Sequence, residues 1–336
     1  MKTLNFVALY VTSEWWIVSK GYRLYKYWPE TGYKELFGVV KDKKNALASR
    51  FSLLRRLLRA EITHLYRFRN DNWMCIGRKA LFRLNSATGT FEKCCDIEKG
   101  SRPLSLCQAS DGTIYYGEYC FNPERKPMRV FQSNDDGNTW SVAYTFADGE
   151  INHIHGIFAD PHCPGRLWVA TGDNDCACIF GYTDDGFKTF IKKYAGRQQY
   201  RVCVPLFRET DIIYATDSQY EQNYIRSIDR ESGAVTDLQP IQGSGIYSAQ
   251  FGPWLTVSTT VEPSDKNTIR RSFLWLSRDG REWKEVASFA KDALPLVYFQ
   301  FGSIRFPAYE GASNKLIFTG RALRGLDGKT AVIDLK

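Results

Sequence analysis

Two of the chain's four histidines, His153 and His155, stand two residues apart, a spacing that puts both imidazoles on one side of an extended strand. Asp173 and Asp175 close the apolar run that begins at Leu167. Imidazoles that titrate near neutrality move protons or ligate metals, and carboxylates beside them orient the rings or raise their basicity. The competing structural reading is a histidine pair hydrogen-bonded to a turn. The expectation is a proton-transfer site without a cofactor, with a divalent ion held by His153, His155, Asp173 and Asp175 as the alternative. Glu118 and Tyr247 complete the catalytic candidates. Arg78, Arg201 and Arg321 suit an anionic group by bidentate hydrogen bonding, and Tyr119 and Asp217 join them as substrate-binding candidates.

These residues need a scaffold that brings distant segments together, and the turns supply it. Ser133-Asn134-Asp135-Asp136-Gly137-Asn138-Thr139-Trp140 joins two strand-like runs. Asp135 can accept from nearby backbone N–H groups, Gly137 can take positive φ, and Trp140 starts a strand and packs inward. The pattern returns at Thr183-Asp184-Asp185-Gly186-Phe187-Lys188-Thr189-Phe190 and, one residue shorter, at Ser277-Arg278-Asp279-Gly280-Arg281-Glu282-Trp283. With weaker copies, the glycines at 32, 89, 137, 186, 233, 280 and 328 are 57, 48, 49, 47, 47 and 48 residues apart. A period near 48 across the chain predicts repeated supersecondary units, each with room for four short strands. The longer first interval holds residues 41–60, where Leu47, Phe51, Leu54 and Leu58 form a helical apolar stripe among Arg50, Arg55, Arg56 and Arg59. That segment predicts a helix packed on the rim, or a lid over an anionic ligand.

The three turns resemble the Asp-box of the sialidase-like, BNR-repeat β-propellers. The resemblance implies an all-β chain: a seven-bladed β-propeller of four-stranded antiparallel blades, residues 1–336 forming one domain, with one short helical insertion near residues 41–60. It places the Asp-box turns on the face away from the ligand. The starts of innermost strands and the residues after second strands then surround the channel mouth, where His153, His155, Asp173, Asp175, Glu118, Tyr119, Arg78, Arg201, Asp217, Tyr247 and Arg321 fall. The last blade is expected to own its fourth strand, so that the termini need not exchange one. Members of this superfamily include sialidases, other glycosidases, some polysaccharide lyases and non-catalytic proteins. A strict sialidase carries an Arg-Ile-Pro-like segment early in the chain; here Arg305-Phe306-Pro307 is at the other end.

Three functions follow: a glycoside hydrolase acting through a pair among Glu118, Asp173, Asp175 and Asp217; a lyase in which His153 or His155 removes a proton beside a uronate carboxylate; and a non-catalytic platform that binds a glycan or a protein. In the lyase, Tyr247 would protonate the leaving oxygen while Arg201 or Arg321 neutralises the carboxylate. Lys and Arg number 45 against 37 Asp and Glu, a net charge of +8, which favours an acidic oligo- or polysaccharide as partner. Dense basic character is confined to residues 41–59, which argues against nucleic acid. The nine cysteines are odd in number, irregularly spaced and without a CxxC pair, so buried reduced thiols are expected. Residues 1–12 read as a first strand without a signal-peptide cleavage pattern, and no apolar run is long enough to insert in a membrane, so a cytoplasmic location is expected.

Overall fold

The computed structural model describes residues 1–335. The chain is almost entirely β, laid out as successive four-stranded antiparallel units. The first runs Val7–Val11, Trp16–Lys20, Arg23–Tyr27 and Lys34–Val40; the second His64–Phe68, Asn72–Gly77, Ala80–Asn85 and Thr90–Asp96. The third has Cys107–Gln108, Ile114–Gly117, Met128–Ser133 and Ser141–Phe146, and the fourth His153–Ala159, Leu167–Gly172, Ile179–Thr183 and Ile191–Ala195. After these come Leu206–Phe207, Asp211–Ala215, Asn223–Asp229 and Val235–Ile241, then Ser244–Phe251, Trp254–Val261, Arg271–Ser277 and Lys284–Ala290.

The last unit corrects an expectation. Gly302–Arg305, Lys315–Arg321 and Thr330–Asp334 supply three strands, and the fourth is Lys2–Leu4 from the other end of the sequence, paired Lys2↔Val332, Thr3↔Ala331 and Leu4↔Thr330. The segment before these strands forms the short helix Leu296–Phe299. Thr330 fastens the closure: its hydroxyl donates to the Phe6 carbonyl at 2.7 Å and accepts the Ala8 N–H at 2.9 Å. The apolar start of the chain is thus divided between two sheets, a split that strand patterning alone does not show.

Burial follows position within a unit. The second strand Leu167–Gly172 is buried at every residue, whereas the outer Ile191–Ala195 buries only Tyr194. Second strands have a sheet against both faces, so they tolerate a continuous apolar run. The core is therefore distributed between neighbouring units: Tyr10, Leu24, Leu65, Trp73 and Phe91 fill one interface, Trp168, Phe180, Tyr214 and Ile228 another.

The turns after the third strands form as their residues dictate. Asp135 accepts from the Thr139 N–H at 2.8 Å and its hydroxyl at 2.7 Å, and the Gly137 N–H donates to Ser133 Oγ at 2.8 Å with φ of +88° at Gly137. Asp185 repeats both threonine contacts at 2.9 and 2.8 Å. There the residue structurally equivalent to Gly137 is Phe187, at φ +71°, so the glycine of that copy is displaced by one position.

The insertion holds helix α1 (Ser52–Leu58), but its apolar stripe does not pack. Leu47, Phe51, Leu54 and Leu58 are 67, 55, 41 and 38% exposed. Arg56 is the buried residue instead, with Nη1 on Asp292 at 2.6 Å and Nη2 on the Phe299 carbonyl of α2 (Leu296–Phe299) at 2.8 Å. All nine cysteines are free; Cys75, Cys107, Cys178 and Cys203 are buried and Cys176 is exposed. Among the described residues no helix is long and apolar enough to cross a membrane.

Candidate active site

His153 and His155 open the innermost strand of the fourth unit. Pairing there passes from Ile154↔Thr171 to Gly156↔Ala170, so His155 is an extra, bulged residue. The same one-residue shift occurs in other innermost strands between Ala8 and Tyr10 and between Gly245 and Tyr247. Such a bulge turns a side chain away from the regular pleat. Both histidines are buried, at 6 and 3% exposure. Their rings lie 5.0 Å apart, and the Tyr119 ring packs 4.5 Å from that of His153. Gly172, paired with His153, is required by this packing: a Cβ there would lie 2.6 Å from His155 Cε1.

Asp173 and Asp217, which follow second strands of neighbouring units, meet at one guanidinium. Arg201 Nη2 lies 2.8 Å from Asp173 Oδ1 and 3.3 Å from Asp217 Oδ2. Burial lowers the proton affinity of Arg201, but Asp217 and Asp173 outweigh it and hold the guanidinium charged. Asp173 Oδ1 is also 3.5 Å from His153 Nε2, and Cys203 Sγ donates to Asp217 at 3.4 Å. Burial pushes His155 down to about 3, helped by His153 and Arg201, and lowers His153 also, against the opposing pull of Asp173. Glu262 is pushed up to about 7, by burial and then by the charge of Asp217.

Of the sequence candidates, the structure thus brings together His153, His155, Asp173, Tyr119, Arg201 and Asp217. It places the others elsewhere. Glu118 is buried against Arg129, accepting from Nη2 at 2.7 Å, Nε at 3.1 Å and the backbone N–H at 2.8 Å, which consumes its carboxylate in an ion pair. Asp175 is exposed and accepts from Gln198 at 2.8 Å. Arg321 is buried in an ion pair with Glu61. Arg78 borders a surface depression beside Asp42 and Lys79. Tyr247 lies in the wall of a central cavity of about 240 Å³, largely apolar with Leu9, Leu65, Leu106 and Phe158 in its lining.

Residues outside the set of site candidates complete the picture. Arg305 also lines that cavity, 5.4 Å from the Tyr247 ring, and Arg102 lies within electrostatic reach of Arg305, Tyr247 and Tyr119. Among the described residues neither arginine has a carboxylate partner. Burial, then Arg305, pushes Arg102 down to about 10, and burial with both arginines pushes His64 to about 3. Tyr119 is within electrostatic reach of Arg102 and also of Asp217, Glu262 and Asp173. Glu262 had a readable signal: it directly follows a second strand, as does Asp173, with Asp217 two residues past another. Arg305 had one in Arg305-Phe306-Pro307, a segment set aside because it stands at the far end of the chain; Arg102 had none, since nothing in its neighbourhood distinguishes it from a surface cation.

The whole-chain arrangement of sheets has counterparts among solved structures. An oligogalacturonate lyase from Vibrio parahaemolyticus aligns over 99% of this chain and 90% of its own with TM-score 0.64 at 8% identity. The GH74 enzyme of Niastella koreensis aligns over 84% of this chain and 46% of its own, at TM-score 0.54 and 11% identity. A chain of the mitotic checkpoint complex covers 100% and is covered to 90%, at TM-score 0.53 and 9% identity. The fold is a β-propeller. No family model matches the sequence, and no curated protein matches it. Two of these propeller neighbours act on carbohydrates and one belongs to a mitotic assembly, so at such identities the likeness speaks for the fold.

Proposed function

We propose that the protein is a carbohydrate-active enzyme, a single seven-bladed propeller of the sialidase-like, BNR-repeat type, that hydrolyses glycosidic bonds of an acidic glycan at its channel mouth. The observation that carries the reading is the pairing of two unpartnered arginines, Arg102 and Arg305, with a cluster of acids and imidazoles around Tyr119. Cations without carboxylate partners suit a sugar carboxylate or sulfate. Tyr119 and Tyr247 offer aromatic faces for sugar rings. Glu262 retains its proton near neutrality, which makes it the acid for the leaving oxygen; the neighbouring Asp217 pairs with Arg201 through Oδ2 only, and its unpartnered Oδ1 is the base for water.

A second reading, β-elimination from a uronate, is favoured by one observation: the buried imidazoles of His153 and His155 are held neutral, with Tyr119 against His153 to donate the proton.

Incubation with a panel of acidic polysaccharides tests both, following new reducing ends and the ultraviolet absorbance of unsaturated uronates. Hydrolysis gives reducing ends without absorbance, and Glu262→Gln lowers the rate by about 10²–10⁴-fold, the usual weight of general acid catalysis. Arg102→Ala and Arg305→Ala raise KM. Absorbance that disappears in His153→Ala would replace hydrolysis by elimination, and no product with any acidic glycan would remove the enzymatic reading.

A further inference from the structure

Both histidines of the cluster turn Nδ1 to a backbone carbonyl, His153 to Cys120 at 3.1 Å and His155 to Val202 at 2.7 Å. A carbonyl oxygen only accepts, so each ring carries its proton on Nδ1 and leaves Nε2 as a bare lone pair. The two Nε2 atoms then face each other at 3.1 Å. Something positive must lie between two lone pairs so placed: either one proton shared by the rings or a cation bonded to both. Asp173 favours the cation, because its Oδ1, paired to Arg201 on one side, lies 3.5 Å from His153 Nε2 and offers a third donor to the same space. These three donor atoms fall within 4.8 Å of one another.

We propose that His153 Nε2, His155 Nε2 and Asp173 Oδ1 bind a divalent transition-metal ion of the Zn²⁺ or Mn²⁺ class. With metal–nitrogen bonds of about 2.1 Å, the facing nitrogens subtend roughly 95° at the ion, an angle that common coordination geometries accept. The carbonyls of Cys120 and Val202 fix the tautomer and aim of each ring, as outer partners of metal-bound histidines do. Local charge agrees: two carboxylates, Asp173 and Asp217, face one buried cation, Arg201. The Asp173 side chain is 35% exposed while both histidines are buried, so the remaining coordination positions open toward the mouth, where water or a glycan oxygen enters. This inference shares the mouth with the proposed hydrolysis but does not depend on it, and it removes the histidines from service as an eliminating base.

The test needs no substrate. The full chain, stripped with a chelator and dialysed, is titrated with ZnCl₂ and separately with MnCl₂ by calorimetry, and its metal content is measured after re-dialysis. The expected result is one equivalent of at least one of the two ions and a rise in Tm on binding. His153→Gln, His155→Gln and Asp173→Asn each weaken binding at least tenfold, while Asp175→Asn, on the exposed loop, leaves it unchanged. Thermal melts of the metal-free variants identify any that fail to fold, and the comparison uses those that melt like the parent. No uptake of either ion at millimolar concentration, or equal affinity in the folded ligand variants, overturns the site and leaves the shared proton in its place. Failure of the glycan panel with metal bound would sink the hydrolase and spare the metal centre.

Discussion

At the residue scale the candidate site consists of groups placed where their charged forms are costly unless paired. Glu262 gives the sharpest consequence for stability. Its carboxyl holds a proton up to about 7 in the folded chain, against about 4.3 for an unperturbed glutamate. The folded state therefore binds that proton more tightly than the unfolded state does. The resulting stabilisation is complete below about 4.3 and is lost as pH rises through about 7. Thermal melts of chelator-treated protein across this window should show Tm falling with pH more steeply in the parent than in Glu262→Gln; identical profiles would refute the assignment. Gly172 makes a second case. Alanine there drives a methyl group into the His155 ring, 2.6 Å from Cε1 and 2.8 Å from Nε2, so the ring must leave its place. Gly172→Ala should cost about 1–3 kcal/mol in chemical denaturation, the usual range for overpacking, and should weaken Zn²⁺ or Mn²⁺ binding at the proposed metal site. The cluster was legible in part: paired histidines and aspartates after strand-like runs are sequence patterns. Arg102 and Arg305 matter because they lack partners, and a missing partner leaves no trace in the order of residues.

At the scale of elements, turns proved more readable than faces. Ser133, Asp135, Gly137 and Thr139 specify their turn through contacts at most four residues apart, so local chemistry suffices. Helix α1 is the opposite case. Its leucine stripe is a sound amphipathic pattern, yet tertiary contacts turn that stripe outward and bury Arg56 beneath it. A distant acid, Asp292, and a carbonyl of α2 decide the orientation, and neither can be inferred from residues 41–60. Arg56→Ala removes a buried, hydrogen-bonded charge from that junction and should destabilise the protein by about 3 kcal/mol. Arg50→Ala, on the exposed side, should change denaturation midpoints little. Equal effects of the two would mean that the helix is not anchored through Arg56.

At the scale of the molecule, the repeat near 48 residues gave the division into units, while the membership of the outermost strand of the last unit escaped it. Lys2–Leu4 and Val7–Val11 read as one extended run, and only the register Lys2↔Val332 shows that they serve different sheets. Removing residues 1–5 should strip the last sheet of an edge and free the Thr330 hydroxyl from Phe6. The truncated protein should melt at least several degrees lower and bind metal more weakly in proportion to its unfolded fraction; an unchanged Tm would show that this pairing contributes nothing.

The same closure sets a timetable for folding. Lys2 pairs with Val332, so during synthesis the strand Lys2–Leu4 waits until residues 330–334 are made before its partner exists. Individual four-stranded units can assemble locally as they leave the ribosome, but the ring stays open, with the edge of Thr330–Asp334 unpaired until Lys2–Leu4 docks. The slow step of refolding should therefore be this long-range docking. A nascent chain stalled before residue 330 would present an open edge to any neighbouring strand, which makes aggregation the characteristic failure of incomplete chains.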